Sequence, residues 1–369
     1  MRSISNIVQA LENEYDFYIV CLNLDHGKND VYKDVTPGQW TMLGKARVWY
    51  QRERDTGLAF CFRTLWQIRP DMVYLNSLFD RQFSFIPFLS LGLGHSVPIL
   101  LAPRGELSPG ALGLKAKRKA LFLYLVRFIK LYSSVIWHAS SSTEQVQISK
   151  VFAPDAGQLF LASNLLGIDQ KSFTRTRLKK PGVLKIVIVA RISPMKNTLT
   201  AIRIASQLKG EIELDLWGPM ENKKYWAACQ LQIQRCPPNI TVRHQGEVLH
   251  EKLHKLLHGY DLMLMPTLGE NFGHSIIEAL SAGLPVIISD RTPWRNLMAA
   301  GVGADLPLNN EKEFVRQLER FEAMGESGMD QVRNVCRRYV VAWQAEHADL
   351  GAYRKMFDSV IASRTVPCK

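Results

Sequence analysis

The chain has 369 residues, a length that suggests two domains. Hydrophobic residues make up 47% and charged residues 22%, which is ordinary for a folded soluble protein. The net charge of +12 favours phosphates, nucleic acid or an anionic membrane surface as partners, but the sequence shows no basic–aromatic module that would point to nucleic acid.

The start of the chain, MRSISNIVQALENEYDFYIV, has no apolar signal core, and the six cysteines form no Cys-x-x-Cys pair. The most apolar stretch begins at Ala120 and is broken by Arg127 and Lys130, so it falls short of a membrane-spanning helix. We therefore expect a cytoplasmic protein, with possible peripheral contact at the inner face of the membrane.

The first half is predicted to be of mixed helices and strands. In chain order these are a helix SNIVQALENE, a strand DFYIVCLNLD, a helix running into a strand TLWQIRPDMVYLNS, a strand VPILLAPRG, a long basic helix LKAKRKALFLYLVRFIKLY and a strand SVIWHASSSTE. A Rossmann-like half should open with a strand and a glycine turn, so the first strand is expected to be missing. Met1 is then a truncated or misassigned start, or that strand has been lost.

The second half alternates strictly between strands and helices. The strands are LKIVIVARI (184–192), EIELDLWG, ITVRHQG, DLMLMPT and LPVIISD, and the helices are NTLTAIRIASQLKG, KKYWAACQLQIQRC, VLHEKLHKLLHGY, SIIEALSAG and TPWRNLMAAG. This pattern predicts βαβ units and a parallel sheet. The fold class is therefore α/β, with two doubly wound parallel-sheet domains facing a cleft.

A Lys/Pro-rich stretch, TRTRLKKPG (174–182), is predicted to link the halves. We expect an acceptor-side domain over 1–173, completed by a C-terminal helix in 345–369, and a donor-binding domain over 182–344. Ligands of such sheets bind outside the carboxyl ends of the strands.

Polar chemistry is concentrated between Gly269 and Asp290, in GENFGHSIIEALSAGLPVIISD. A helix that starts here, after a strand, presents free backbone N–H groups to a phosphate, and Gly273 allows close approach. Glu270 and Glu278 can accept hydrogen bonds from the hydroxyls of a ribose or hexose. Arg191, at the end of a strand, and Lys196 suit a diphosphate in the same place.

In these residues the sequence resembles a retaining family-4 glycosyltransferase of the GT-B fold, within the glycosyl transferases group 1. The resemblance rests on the Glu-x7-Glu motif, the Arg-x4-Lys pair, Gly218 after LDLW, Gly246 in RHQGEV, and SDRTPW (289–294). The stretch LAPRGELSPGALGLKAKRK (101–119) resembles members that build bacterial surface polysaccharides.

The resemblance implies transfer of a sugar from a UDP- or GDP-linked donor to a glycan hydroxyl, on a lipid-linked acceptor, with retention. Arg191 and Lys196 would neutralise the diphosphate, Glu270 would contact the sugar and Glu278 would hold the ribose. The sequence has no Asp-x-Asp motif, so no metal and no cofactor are expected. The further residues implied for the donor are Asn271, Phe272, Gly273, His274, Ser275, Gly218 and Gly246, and those for the acceptor are Arg104, Gly105 and Asn76.

Two other functions stay open. In the first, the chain is a donor-binding but inactive or truncated partner protein. This alternative rests on Asn76 and Ser77, which stand where many relatives carry a histidine, and on the absence of the first glycine turn. Alternatively, it would be a nucleotide-sugar epimerase of the same fold.

The long basic helix is open to two interpretations. It is either a core helix, which we favour for the apolar residues Leu121, Leu125, Phe128, Ile129 and Tyr132, or a membrane-surface contact through its basic start, Lys115 to Lys119. His250, His254 and His258 are spaced as on one helix face, and we expect an amphipathic helix there and no metal site.

Overall fold

The computed structural model describes residues 2–24, 31–32, 35–52, 55–92, 97–113, 116–165, 178–347 and 349–363. The chain forms two compact units. The first comprises Met1–Gly167 and Ala348–Lys369, and the second comprises Ile168–His347. Lys115, at the start of the predicted basic helix, lies outside the described residues, and so do residues 173–177 of the predicted domain boundary and linker.

The first unit contains short strands and helices up to residue 161. Its strands are β1 (Tyr18–Leu22), β2 (Trp40–Leu43), β3 (Ala46–Gln51), β4 (Val73–Leu75), β5 (Ile99–Leu101), β6 (Ile136–Ala139) and β7 (Leu159–Leu161). Its helices over this range are α1 (Arg2–Leu11), α2 (Gly57–Ile68), α3 (Ile86–Gly92), α4 (Pro109–Gly113), α5 (Ala116–Phe128) and α6 (Ser142–Phe152). A π-helical turn, Arg81–Phe85, leads into α3.

From residue 183 to residue 289 the second unit alternates strands and helices as the sequence predicts, but a strand that was not predicted, at 303–306, follows with no helix before it. Its strands are β8 (Val183–Val189), β9 (Glu211–Trp217), β10 (Ile240–Gly246), β11 (Leu262–Met265), β12 (Val286–Ser289) and β13 (Gly303–Leu306). Its helices are α7 (Thr198–Ala205), α8 (Lys223–Gln234), α9 (His250–Leu257), α10 (His274–Ser281), α11 (Glu311–Glu322) and α12 (Glu326–His347). The chain then returns to the first unit as α13 (Leu350–Ala362).

The strands of the first unit form two sheets. One is a parallel sheet in the order β4-β5-β6-β7, and the other has the order β1-β3-β2. Strands β1 and β3 are parallel, but β2 and β3 form an antiparallel hairpin around Gly44, whose φ of 61° is left-handed. This hairpin is absent from the sequence prediction, which expected parallel strands throughout the domain.

Apolar faces of the first and last helices hold the first unit together. Ile7 and Leu11 of α1 are buried in one cluster with Tyr353, Met356 and Phe357 of α13. All five side chains are at most 1% exposed, so the end of the chain is part of this unit's core. Burying an aromatic side chain of this size stabilises a fold by about 1.5–3 kcal/mol.

The favoured sequence interpretation placed five apolar residues of the long basic helix in the core, and four of them are exposed instead. Tyr132, beyond the helix, is buried, but Leu121, Leu125, Phe128 and Ile129 are exposed. The reason is that the opposite side of α5 already meets the core through Val126 and Phe122.

The second unit contains one parallel sheet in the order β10-β9-β8-β11-β12-β13. Strands β11 and β12 are buried at every position, as expected for a sheet covered on both faces. The helix predicted over TPWRNLMAAG is wrong, because residues 291–301 form turns instead. Asn296 takes a left-handed φ of 58°, and Leu297 N donates to Asp305 Oδ1 at 2.9 Å instead of to a carbonyl one turn earlier, so a continuous helix is interrupted.

Among the described residues, no helix combines the length and apolar character needed to cross a membrane.

Candidate functional site

The centre of the second sheet is a topological switch point. Strands β8 and β11 are neighbours, but the chain continues from β8 through β9 and β10 on one side and from β11 through β12 and β13 on the other. The loops that follow β8 and β11 therefore diverge, and they leave a crevice at the carboxyl edge of the sheet, where ligands of such folds bind. Most of the predicted donor residues lie in these two loops or directly after them.

The loop after β8 carries both predicted cations. Arg191 is exposed, and its Nη1 lies 2.6 Å from Glu221 Oε1, in the loop after β9. Lys196 ends a 3-10 turn, Pro194–Lys196, that precedes α7. Asn197 follows with a left-handed φ of 56°, and its Nδ2 donates to Pro266 O at 2.9 Å. The turn that presents Lys196 is thus fixed to the end of β11.

Hydrogen bonds join the loops after β8, β11 and β12 into one layer. Leu268 N donates to Met195 O at 2.8 Å, and Thr267 Oγ1 donates to the same oxygen at 3.0 Å. Ser289 Oγ at the end of β12 donates to Thr267 O at 2.6 Å, and Glu270 N donates to Arg291 O at 3.0 Å. Thr267 and Ser289 are fully buried. The backbone that carries Glu270 is therefore held from both sides.

Lys196 and Glu270 form an ion pair between Nζ and Oε2. Their side chains are only 15% and 18% exposed. An ion pair so little exposed is screened much less by salt than a surface pair. The structure thus brings two of the predicted site residues into direct contact.

The amino end of α10 lies at the same edge. Gly273 precedes the helix with a left-handed φ of 80°, and a Cβ added there would lie 2.7 Å from Ile276 Cδ1. Glycine favours this turn, since a residue with a Cβ would be strained at this φ and the end of the Ile276 side chain would have to move. Ile276 N and Ile277 N donate to Gly273 O at 2.9 Å and 3.3 Å, and the N–H groups of this first turn form the positive end of the helix dipole.

Aromatic packing anchors this helix end. Phe272 is buried, its ring centroid lies 5.8 Å from those of Trp294 and Trp343, and its carbonyl accepts a hydrogen bond from Trp294 Nε1 at 2.5 Å. The side chain of Phe272 is therefore structural, and only its backbone could face a ligand. The ring of His274 lies 4.8 Å from that of Phe272.

Glu278 lies in the second turn of α10, and its side chain is half-buried. Asn271 and Ser275 are half-buried as well, and Ser275 Oγ lies 3.9 Å from Met265 Sδ at the end of β11. Glu270 and Glu278 thus occupy different elements, a loop and a helix, as expected for carboxylates that bind two different parts of one ligand.

Two predicted glycines stand side by side at the ends of β9 and β10. Gly218 N donates to Gly246 O at 2.7 Å. Gly218 has a φ of 143°, and a Cβ there would lie 2.1 Å from Ala190 O, in the residue before Arg191. Gly246, with a φ of 80°, has no atom within 4 Å of the same position. Gly218 therefore allows the loop after β9 to lie directly against the loop that carries Arg191.

The predicted acceptor residues are gathered at the carboxyl ends of β4 and β5 in the first unit. Arg104, with a left-handed φ of 54°, donates from Nε to Asn76 Oδ1 at 3.1 Å and from Nη1 to Asn164 Oδ1 at 2.8 Å. Gly105 N donates to Glu144 Oε1 at 2.5 Å. The guanidinium of Arg104 thus braces two loops through neutral amide oxygens, in addition to carrying a positive charge at this edge.

A buried chain of hydrogen bonds continues from Arg104. Its Nη2 donates to Tyr74 OH at 2.7 Å, Tyr74 OH contacts His138 Nδ1, and His138 Nε2 lies 2.8 Å from Ala162 O. Because a carbonyl only accepts, Nε2 carries the proton and Nδ1 accepts from Tyr74. Burial, reinforced by the charge of Arg104, lowers the pKa of His138 to about 3, so this histidine is neutral and structural.

Several residues of the second-unit site were not singled out in the sequence. Glu221 is the partner of Arg191, Thr267 and Ser289 fix the loop backbone, and Trp294 anchors Phe272. A polar residue at the end of each predicted apolar strand segment was the available signal for Thr267 and Ser289. Nothing local in the sequence indicates that Glu221 would reach Arg191.

Residues 169–338 match the family model described as glycosyl transferases group 1. This match spans most of the second unit. A comparison with curated protein sequences gives no match.

Among solved structures, similarity extends over most of the chain. It covers 92% of this chain and 90% of WaaG, a glycosyltransferase involved in lipopolysaccharide biosynthesis, with a TM-score of 0.67 and 12% identity. It covers 97% of this chain and 92% of sucrose-phosphate synthase from Thermosynechococcus elongatus, with a TM-score of 0.67 and 16% identity. At these identities the likeness establishes the fold, which is that of the GT-B glycosyltransferases.

A third similar structure is S. aureus TarM in complex with fondaparinux, α-GlcNAc-glycerol and UDP, with a TM-score of 0.58 and 13% identity. The match covers 82% of this chain but only 58% of TarM. This chain therefore spans little more than half the length of that protein.

Proposed function

We propose, from the match of residues 169–338 to the glycosyl transferases group 1 model, that the protein transfers a sugar from a nucleoside diphosphate donor to a glycan hydroxyl. The donor is UDP- or GDP-linked, and the acceptor is a lipid-linked surface-polysaccharide intermediate that is modified at the inner face of a membrane. The anomeric configuration is retained and no metal takes part. The observation that carries the proposal is the convergence of Arg191, Lys196 and the amino end of α10 at the switch point of one parallel sheet.

Each residue type fits one part of such a donor. In the proposal the diphosphate lies against Arg191, Lys196 and the first N–H groups of α10, Glu278 accepts hydrogen bonds from the ribose, and Glu270 contacts the sugar. As the sugar–phosphate bond breaks, negative charge develops on the leaving diphosphate, and fixed positive groups stabilise that charge most when they are held in place in advance. The hydrogen bonds that tie the loops after β8, β11 and β12 together support such preorganisation.

The neighbouring protein TarM supports the donor class, because its structure contains UDP. WaaG, described as acting in lipopolysaccharide biosynthesis, supports the acceptor class. Both arguments rest on similarity of fold, so experiments must identify the donor and the acceptor.

Calorimetry with UDP and GDP tests the donor site. We expect Lys196→Ala and Glu278→Gln each to weaken nucleotide binding about 10- to 100-fold, because a hydrogen bond to a charged group contributes about 1.5–3 kcal/mol. Matched controls are Lys209→Ala and Glu319→Gln, since both side chains are exposed and lie away from the loops after β8 and β11. Equal affinities in the site variants and the controls would remove these residues from the donor site.

Product analysis then tests the reaction. Incubation with a UDP- or GDP-sugar and an extract of lipid-linked glycans should release the nucleoside diphosphate and extend the glycan. Conversion of the nucleotide sugar to its epimer without any acceptor would instead identify an epimerase, and binding without turnover would identify an inactive donor-binding protein.

A further inference from the structure

The α5 helix exposes an unusually large apolar surface. Leu121, Tyr124, Leu125 and Phe128 are 60%, 65%, 49% and 75% exposed, and Ile129 just beyond the helix is 59% exposed. Single exposed apolar side chains are common on proteins, but neighbouring ones of this size mark a surface that another body covers.

These side chains form one face. The spacing of Leu121, Tyr124, Leu125 and Phe128 is i, i+3, i+4 and i+7, which places them on one side of a helix. The rings of Tyr124 and Phe128 stack, with centroids 6.2 Å apart and an interplanar angle of 17°. The other side of α5 packs on the unit itself, where the Phe122 ring lies 5.5 Å from that of Phe79. The exposed face is therefore not the side by which α5 packs on its own unit.

Basic side chains border this apolar surface at both ends. Lys117 and Arg118 are exposed in the first turn, and Arg127 and Lys130 are exposed at the other end. Lys119 turns inward instead, where its Nζ donates to Ala111 O at 2.7 Å. The sequence contains no Asp or Glu between Glu106 and Glu144, so this segment is purely cationic.

We propose that the α5 face, defined as Lys117, Arg118, Leu121, Tyr124, Leu125 and Phe128, lies on the surface of an anionic phospholipid bilayer. The apolar side chains enter the boundary between headgroups and acyl chains, and the cations bind lipid phosphates. Aromatic residues suit this depth because they tolerate a partly wet environment. The proposal deepens the membrane location given under the proposed function, and it does not depend on the donor chemistry.

Charge favours a bilayer over a second copy of the chain. In a symmetric dimer through this face, each copy would present the same patch to the other. The cations at both ends of α5 would then approach like charges, in a protein whose net charge is +12. An anionic bilayer pairs these same cations with phosphates.

Vesicle sedimentation with the full chain and no nucleotide tests the proposal. The probes are vesicles of phosphatidylcholine alone and vesicles in which part of it is replaced by phosphatidylglycerol. We expect binding only to the anionic vesicles. The double substitution Lys117→Gln/Arg118→Gln should weaken the binding about 30-fold, since each basic side chain near such a surface contributes about fivefold. Leu121→Gln/Phe128→Gln should weaken it at least tenfold.

Matched controls exist in the second unit. Arg337→Gln/Arg338→Gln removes an exposed basic pair, and Leu249→Gln/Val341→Gln removes two apolar side chains that are 65% and 60% exposed. Equal loss in the controls, or equal binding to both vesicle types, would overturn the proposal. So would a concentration-dependent dimer that the Leu121→Gln/Phe128→Gln variant abolishes, because a second copy would then be the occupant. UDP affinity measured without vesicles separates a failure of this proposal from a failure of the donor site.

Discussion

The contact between Gly218 and the Arg191 loop predicts a large difference between two neighbouring glycines. Substitution of Gly218 by alanine places a Cβ 2.1 Å from Ala190 O and 2.6 Å from Ala190 C. Both atoms belong to the backbone, so the overlap is relieved only by moving the loop after β8. The φ of 143° adds backbone strain, because residues with a Cβ rarely adopt it.

The magnitude follows from these two contributions. Backbone strain of this kind costs about 1–3 kcal/mol. Forcing an extra carbon into a packed region costs about 1–3 kcal/mol more. We therefore expect Gly218→Ala to lower the free energy of unfolding by about 2–6 kcal/mol. The control Gly246→Ala has a φ of 80° and an open Cβ position, so it should lose only about 1–2 kcal/mol.

Urea unfolding, followed by circular dichroism, measures both variants. Where the Gly218→Ala variant remains folded, nucleotide affinity should also fall, because the displaced loop carries Arg191. The Gly246→Ala variant should bind nucleotide with a smaller change. Equal destabilisation of the two variants would refute the reasoning, because it would show that the contact with Ala190 does not matter.

Two further predictions concern stability. Burial holds the pKa of His138 at about 3, below its ordinary value of about 6.5, so its neutral state stabilises the fold above pH 6.5 and this stability is lost as the pH falls towards 3. Between pH 7 and pH 5 the free energy of unfolding should fall by about 2 kcal/mol more in the native protein than in His138→Asn, because the unfolded chain takes up the proton below pH 6.5. Equal falls in the two proteins would contradict the assignment. Trp294→Phe removes the hydrogen bond to Phe272 O and should lower the free energy of unfolding by about 1 kcal/mol, as measured in urea, whereas no change would mean that this bond does not anchor α10.

The parallel sheet of the second unit could be predicted because its signal is local. Strands β8, β11 and β12 are continuous apolar runs, and β8 and β11 are each followed by a helix with its own periodicity. The hairpin of β2 and β3 was missed, although the two residues Gly44 and Lys45 between WTML and ARVWYQ are a hairpin signal. The helix over residues 292–301 was predicted from its apolar spacing, but Asn296 is left-handed and Leu297 N bonds to Asp305, a contact that the spacing does not reveal.

The candidate site shows the same limit. That Lys196 and Glu270 would share one edge of the sheet followed from strand order, and the structure pairs them. The pairing of Arg191 with Glu221 depends on how two loops cross, which spacing along the chain does not encode. The exposure of α5 was missed for a related reason, because helical periodicity identifies an apolar face but not what covers it.

The ion pairs of the candidate site have a consequence for the affinity of an anion. Lys196 contacts Glu270, and Arg191 contacts Glu221. Under the proposed function, the diphosphate either shares each cation with its carboxylate or replaces that carboxylate. The affinity would then reflect the difference between two sets of contacts rather than the strength of the new contacts alone.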